Sequence, residues 1–190
     1  ADIKNVIHIS GTNGKGSTAN FLANILRSSG ITVNLFTSPH LIHYNECFNL
    51  NGEKISNQHL IQVIEIVRDS LGSDFQISLF EASFLYALLA FKQSPATFNI
   101  FETGMGGRID PTNLLANKIF NIFTPISLDH QEYLGPNIEA ITCEKAYITC
   151  KNAKTIIAPQ PEIALGILKQ FSLAHNTNYL CYEEHYDFFL

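Results

Sequence analysis

Charge is scarce in this 190-residue chain. Only 15% of residues are charged, and 12 Lys+Arg against 17 Asp+Glu leave a formal net charge of −5 with no basic run. A net acidic chain of this kind is a poor candidate for sequence-independent nucleic-acid binding, which is driven by phosphate neutralisation. Long apolar runs are also missing: every apolar stretch falls well short of the roughly 20 residues a membrane-spanning helix needs. Cys47, Cys143, Cys150 and Cys181 form no C-x-x-C pair, so neither a zinc site nor a disulfide framework is expected, and reduced cysteines point to a cytoplasmic protein. Neither a solenoid-period repeat nor a low-complexity segment interrupts the chain. The opening Ala1-Asp2-Ile3-Lys4 runs directly into a strand-like segment without a leader pattern. Its lack of an initiator methionine fits a trimmed or partial chain.

What is present is apolar residue in short, regular blocks. Hydrophobic residues make up 46% of the chain, enough for a sizeable core in one domain. Strands are expected over 5–9, 31–36, 98–102, 119–124, 155–158 and 178–182. Helices are expected over 16–29, from Ser56 to about Leu71, over 79–91, from Pro136 to about Cys150, and over 161–171. The first helix carries Phe21, Leu22, Ile25 and Leu26 on one stripe and stops at Gly30. Ser56 is placed to cap the second, in which Leu60, Val63, Ile64, Val67 and Leu71 share a face. The helix over 79–91 is apolar nearly all round, which predicts burial between layers. Residues 37–52 read as one long polar loop, of the kind that is often functional. Alternating strands and helices predict an α/β fold: three layers, a mostly parallel sheet and helices on both faces. Ligands of such sheets sit beyond the carboxyl ends of the strands, so chemistry is sought after Ile9, Phe36, Glu102 and Thr124.

After the first strand comes Gly11-Thr12-Asn13-Gly14-Lys15-Gly16-Ser17-Thr18. Glycines allow a tight turn, and the helix that follows offers unpaired N–H groups and the positive end of its dipole. With Lys15 these make an anion trap of Walker A character. The spacing departs from the common G-x-x-x-x-G-K-[ST] pattern, whose first glycine would fall at Ile9, and Gly16 separates Lys15 from Ser17. Glu102 closes a central strand before a Gly-rich loop, where a carboxylate can hold Mg²⁺ against nucleotide phosphates, or can simply be a solvated strand end. His130, past the strand ending at Thr124, is either a ligand at the same sheet edge or a surface residue. Lys145 shares a helical face with Ile138, Ile141 and Ile148. A buried amine is costly unless its charge is removed or paired. It could snorkel, pair with Glu102, or react with CO₂ to give an anionic carbamate; the residues alone favour the first two.

Together these segments resemble a known family. The run His8-Ile-Ser-Gly-Thr-Asn-Gly-Lys-Gly-Ser-Thr18 is followed by Thr37-Ser-Pro-His40, Tyr44-Asn-Glu46 and Asn51-Gly52. Then come Phe101-Glu-Thr-Gly-Met-Gly-Gly-Arg-Ile-Asp110, Leu128-Asp-His-Gln-Glu-Tyr-Leu-Gly135 and Glu144-Lys-Ala146. In this order they resemble the folylpolyglutamate synthase/dihydrofolate synthase family of the Mur ligase superfamily, over about residues 5 to 150. The resemblance implies a P-loop fold like the Mur ligase central domain and ATP-dependent amide-bond formation. A folate or dihydropteroate carboxylate is phosphorylated to an acyl phosphate, which the amino group of L-glutamate then attacks. It makes Gly11 to Thr18 the ATP cradle, with Lys15 on the β/γ-phosphates. Ser38, Glu102 and His130 match the positions that serve Mg²⁺, and Lys145 matches the lysine carried as a carbamate. Lys15, Glu102, His130 and Lys145 are the implied catalytic residues, and His40 and Asp110 the implied substrate contacts. The resemblance departs at Cys47, where arginine is frequent, and at Pro111 and Tyr147, where small residues are usual.

It further implies a second α/β domain that binds glutamate. Residues 1–190 would then be the single ATP-binding domain of a cytoplasmic enzyme, monomeric and without nucleic-acid or membrane partners. Two other readings stay open: another Mur-type ligase acting on cell-wall precursors, and a non-catalytic nucleotide-binding module.

Overall fold

The structure is a computed structural model that describes residues 3–72 and 76–187. Its centre is the strand β1 (Val6–Ser10), every residue of which is buried. The chain then forms α1 (Lys15–Ser28), β2 (Val33–Phe36), β3 (Phe48–Leu50), β4 (Glu53–Lys54), α2 (Asn57–Leu71) and α3 (Leu79–Gln93). There follow β5 (Phe98–Glu102), β6 (Lys118–Phe123), α4 (Gln131–Leu134), α5 (Ile138–Ala146), β7 (Lys154–Ile157), α6 (Glu162–Ala174) and β8 (Tyr179–Cys181). Short 3₁₀ turns occupy Tyr44–Cys47 and Pro111–Leu114. The strands form one sheet in the order β4-β3-β2-β5-β1-β6-β7-β8. All pairings from β2 to β8 are parallel; among the described residues only the β2–β3 and β3–β4 pairings are antiparallel, so β3 alone is reversed.

The alternation of side chains along β1 divides the core. Ile7 and Ile9 face α1, packing with Ala19, Ala23, Leu35 and Ile100. Val6 faces the opposite side, where Phe36, Phe48 and Phe101 meet Leu60 and Val63 of α2 and Phe84 and Phe91 of α3. On that same side Phe123, Ile157 and Cys181 pack beneath Ile141 of α5 and Leu168 of α6. Helices therefore cover both faces, as expected, with α1 on one and the rest on the other. The order places β1 and β5 side by side, Ile9 opposite Glu102, so their carboxyl ends share one edge.

Three expectations are corrected. Residues 37–52 are not a single loop: Phe48–Leu50 turns back antiparallel on β2, because Phe48 is buried 5.8 Å from the Phe36 ring. Three residues of alternation are too few to read as a strand. The helix expected from Pro136 to Cys150 is shorter, Ile138–Ala146. Asn137 caps it by accepting the Ala140 N–H at 2.9 Å, and tight turns from Ile148 to Lys145 and Thr149 to Ala146 end it. The first helix starts at Lys15 rather than Gly16, straight from Gly14 in a left-handed conformation with φ 81°.

Candidate functional site

The loop between β1 and α1 is shaped by what lies against it. Gly11 has φ +146°, and a Cβ there would fall 2.0 Å from Thr124 Oγ1, so no other residue fits without moving β6's end. Thr12 and Asn13 N–H both donate to Pro125 O, at 3.0 and 3.2 Å. The Thr12 hydroxyl donates to Ser127 O at 3.1 Å and accepts the Ser127 N–H at 3.1 Å. The first half of the loop is thus stitched to the segment after β6. Thr18 N–H is the first to bond within the helix turn, to Gly14 O at 2.9 Å. The amides of Lys15, Gly16 and Ser17 precede that bond and carry the positive end of the helix dipole. Gly16 N–H is shared with Glu102, whose carboxylate it helps to stabilise. Of the expected cradle, the arc from Gly14 to Ser17 has the geometry of an anion site, and Gly11 to Asn13 support it.

Lys15 Nζ donates to Thr12 O at 3.3 Å. Around it stand the other charges. Glu102, 4% exposed at the end of β5, accepts the Ser38 N–H at 3.2 Å. Burial pushes its carboxyl above the ordinary range, and the Lys15 charge opposes the shift. Lys145 is 3% exposed, and its Nζ donates to Gly11 O at 2.9 Å. Burial, reinforced by the nearby Lys15 charge, pulls its pKa down to about 8. Neither simpler sequence reading of Lys145 holds: the side chain does not snorkel, and among the described residues it makes no ion pair with Glu102.

Beside this cluster opens a cavity of about 660 Å³, lined by Lys15, Ser38, His40 and Tyr44, by Ser78, Leu79 and Phe80 at the start of α3, and by Met105, Ile109, Asp110 and His130. Five of the sequence-predicted residues, Lys15, Ser38, His40, Asp110 and His130, therefore share one cavity, and Glu102 adjoins it through Ser38. His130 is exposed and adopts a left-handed backbone, φ 49°, a conformation costly for a non-glycine residue and frequent at functional sites. Its Nε2 lies 3.5 Å from Asp129 Oδ2. Asp110 faces the loop more than the cavity: Oδ2 accepts the N–H groups of Gly104 and Met105, at 2.8 and 3.0 Å, and Oδ1 that of Thr112, at 3.0 Å. The α3 contribution, above all Phe80, went unread in the sequence. The signal was the capping box at Ser78 and Glu81, which places the start of α3 without saying what it faces.

A separate group, Cys181, Glu184 and His185, brings ligand-type atoms within 4.8 Å of one another. Glu184 is held by Lys169, and His185 Nδ1 rests 3.5 Å from Cys181 Sγ. None of the three lines the cavity, and their own contacts account for the arrangement.

The fold and the loop together define a P-loop α/β domain of the Mur ligase kind. No family model matches the chain. It is 38% identical over 167 residues to a dihydrofolate synthase/folylpolyglutamate synthase of Buchnera aphidicola, covering 87% of this chain and 39% of that protein. The corresponding Escherichia coli protein is 38% identical over 159 residues, covering 83% and 37%. A solved structure of E. coli FolC in complex with DHPP and ADP matches with a TM-score of 0.92 at 30% identity, over 100% of this chain and 45% of that one. An FPGS–AMPPCP–folate complex matches with a TM-score of 0.93 at 30% identity, over 97% and 46%. Over most of its length the chain is similar to dihydrofolate synthase/folylpolyglutamate synthase proteins, and it spans less than half the length of these relatives.

Proposed function

We propose that this chain is the ATP-binding part of a ligase that joins L-glutamate to the carboxylate of a folate or dihydropteroate through an acyl phosphate. The observation that carries the reading is the meeting of Lys15, Ser38 and His130 with His40 and Asp110 around one cavity at the carboxyl edge of the sheet. Folate and DHPP occupy solved relatives of the same fold, which supports the same class of acid here. The cavity mixes aromatic and aliphatic walls (Tyr44, Leu79, Phe80, Ile109) with a few polar groups, as a flat heterocyclic acid requires.

In this reading the amides of the first turn of α1 and the Lys15 ammonium hold the triphosphate. The substrate carboxylate oxygen attacks the γ-phosphorus, and the bond to the β-bridging oxygen breaks, releasing ADP. The glutamate nitrogen then attacks the acyl carbon and gives up a proton. The carbon–oxygen bond breaks and phosphate leaves. Lys15 offsets the repulsion between triphosphate and carboxylate as they approach. The residues at the edge suit Mg²⁺: Glu102 is a buried hard oxygen donor that makes no ion pair among the described residues, with Ser38 and His130 alongside. When bound there, the ion would neutralise phosphate charge. We assign Lys145 as the site of a carbamate: its neutral amine adds to CO₂, forming an N–C bond and releasing one proton. Its amine is held within the cluster by Gly11 O, and a pKa of about 8 leaves a share of it neutral near pH 7.5.

The test is ADP release by the natural gene product. It should require both a folate or dihydropteroate acid and glutamate; nucleotide binding with no such turnover would favour a non-catalytic module. Lys145→Ala is expected to cut turnover by 100-fold or more, with partial recovery in millimolar acetate. Full activity with a bare amine in both electron density and native mass spectra would overturn the carbamate.

A further inference from the structure

The Gly-rich loop that walls the cavity, residues 103–110, is fastened to β1 by a buried run of hydrogen bonds that phosphate binding does not call for. His8 lies in β1, fully buried, three residues before Gly11 opens the phosphate loop. Its Nε2 is 2.8 Å from Thr112 Oγ1. The Thr112 hydroxyl donates to Asp110 Oδ1, and Asp110 Oδ2 in turn accepts the N–H groups of Gly104 and Met105.

Counting protons fixes the direction. A threonine hydroxyl has one hydrogen, here spent on Asp110, so Thr112 Oγ1 can only accept from His8. The Nε2 of His8 therefore carries the proton. Its Nδ1 is bare and has no partner among the described residues. Burial, together with the Lys118 charge, keeps the ring neutral, which one donor and one bare nitrogen require. The next link is tight as well: a Cβ on Gly104 would fall 2.5 Å from Phe80 Cζ, so this backbone lies directly on the aromatic wall. A shift of the loop either strikes that ring or opens a gap beside it.

We propose that His8 is a positioning residue for the acid substrate. By donating to Thr112 it orients Asp110, and through Asp110 it sets the Gly104–Met105 backbone against Phe80, registering the cavity wall to the strand that feeds the phosphate loop. The proposal rests on the reading of this cavity as the site of the folate-type acid. It also gives Asp110 a role in building the wall, beyond any contact with substrate.

The experiment uses the natural gene product with His8→Phe, His8→Gln, Thr112→Val and Thr112→Ser. A glutamine amide can reach the place of Nε2 and donate as it does; phenylalanine, a somewhat larger planar ring, cannot. Two readouts are taken: amide hydrogen exchange at Gly104 and Met105, and affinity for dihydropteroate or folate set beside affinity for AMPPCP. His8→Phe and Thr112→Val should speed exchange at both amides tenfold or more and weaken the acid fivefold or more. AMPPCP affinity should stay within twofold, and His8→Gln and Thr112→Ser should restore both quantities. The proposal is overturned if folded His8→Phe and Thr112→Val keep wild-type exchange at these amides. It is equally overturned if acid and nucleotide affinity fall together, or if His8→Gln is as impaired as His8→Phe. A wild-type protein that takes neither acid would overturn the cavity reading instead, and exchange alone would then judge the relay.

Discussion

At the scale of single residues, the site is decided by positions that have no freedom. Gly11 is one. Its missing Cβ leaves room for Thr124, whose own hydroxyl is committed to Ser10 O at 3.3 Å, so neither partner can yield. Gly11→Ala is expected to destabilise the fold by about 3 kcal/mol or more, measured by urea unfolding. Lys118 is another. Its buried Nζ donates to Asn113 Oδ1 at 2.7 Å and Ile148 O at 3.1 Å, and burial lowers its pKa from 10.5 to about 8. Between those two values the unfolded chain holds a proton that the folded one has lost, so this group favours folding more as pH rises from 8 to 10.5. The stability of the wild type relative to Lys118→Met should therefore climb over that window by up to about 3 kcal/mol, and be flat below pH 8. Urea melts at pH 7.5 and 10.5 check it.

Lys145 was legible as an anomaly because an ionisable residue interrupts an isoleucine stripe. Its acceptor was not legible, since Gly11 lies 134 positions away and only the packing of α5 against the phosphate loop brings them together. His8 was illegible for a related reason: a histidine inside a strand gives no sign of whether it meets solvent, core or another loop.

At the scale of elements, periodicity carried most of the fold. β5 was read with its observed ends, Phe98–Glu102, because the run Phe98-Asn-Ile-Phe101 stops at a carboxylate. The caps at Ser56 and Ser78 follow from side-chain oxygens that accept the N–H three residues on, both at 3.2 Å. Ser78 also lines the cavity, so its cap helps place Phe80. Ser78→Ala should cost about 1 kcal/mol in thermal or urea unfolding, whereas Ser78→Asp should keep most of it. Where elements were misread, they were short or tertiary in origin. Three-residue β3 exists because Phe36 and Phe48 pack together, and α4 is a single turn after a left-handed His130. Neither leaves a period in the sequence.

For the whole molecule, parallel strand order is what makes distant motifs a site. β1, β2, β5 and β6 end on one edge, and they deliver Lys15, Ser38, Glu102 and His130 to it from segments that together span more than 100 residues of sequence. The edge itself was predictable from βαβ logic; the cavity's aromatic wall was not, because α3 reaches it across the sheet. Had Glu102 and His130 fallen at the other end from Lys15, no nucleotide site could have been assembled. The central claim, that the first turn of α1 and Lys15 hold a nucleotide's phosphates, is tested most directly by calorimetric titration of AMPPCP into the wild type and Lys15→Ala. Saturable binding to the wild type is expected, with an affinity at least tenfold lower for the variant, from the loss of about 1.5–3 kcal/mol of charge-assisted hydrogen bonding. Equal affinities, with both proteins folded, would contradict it.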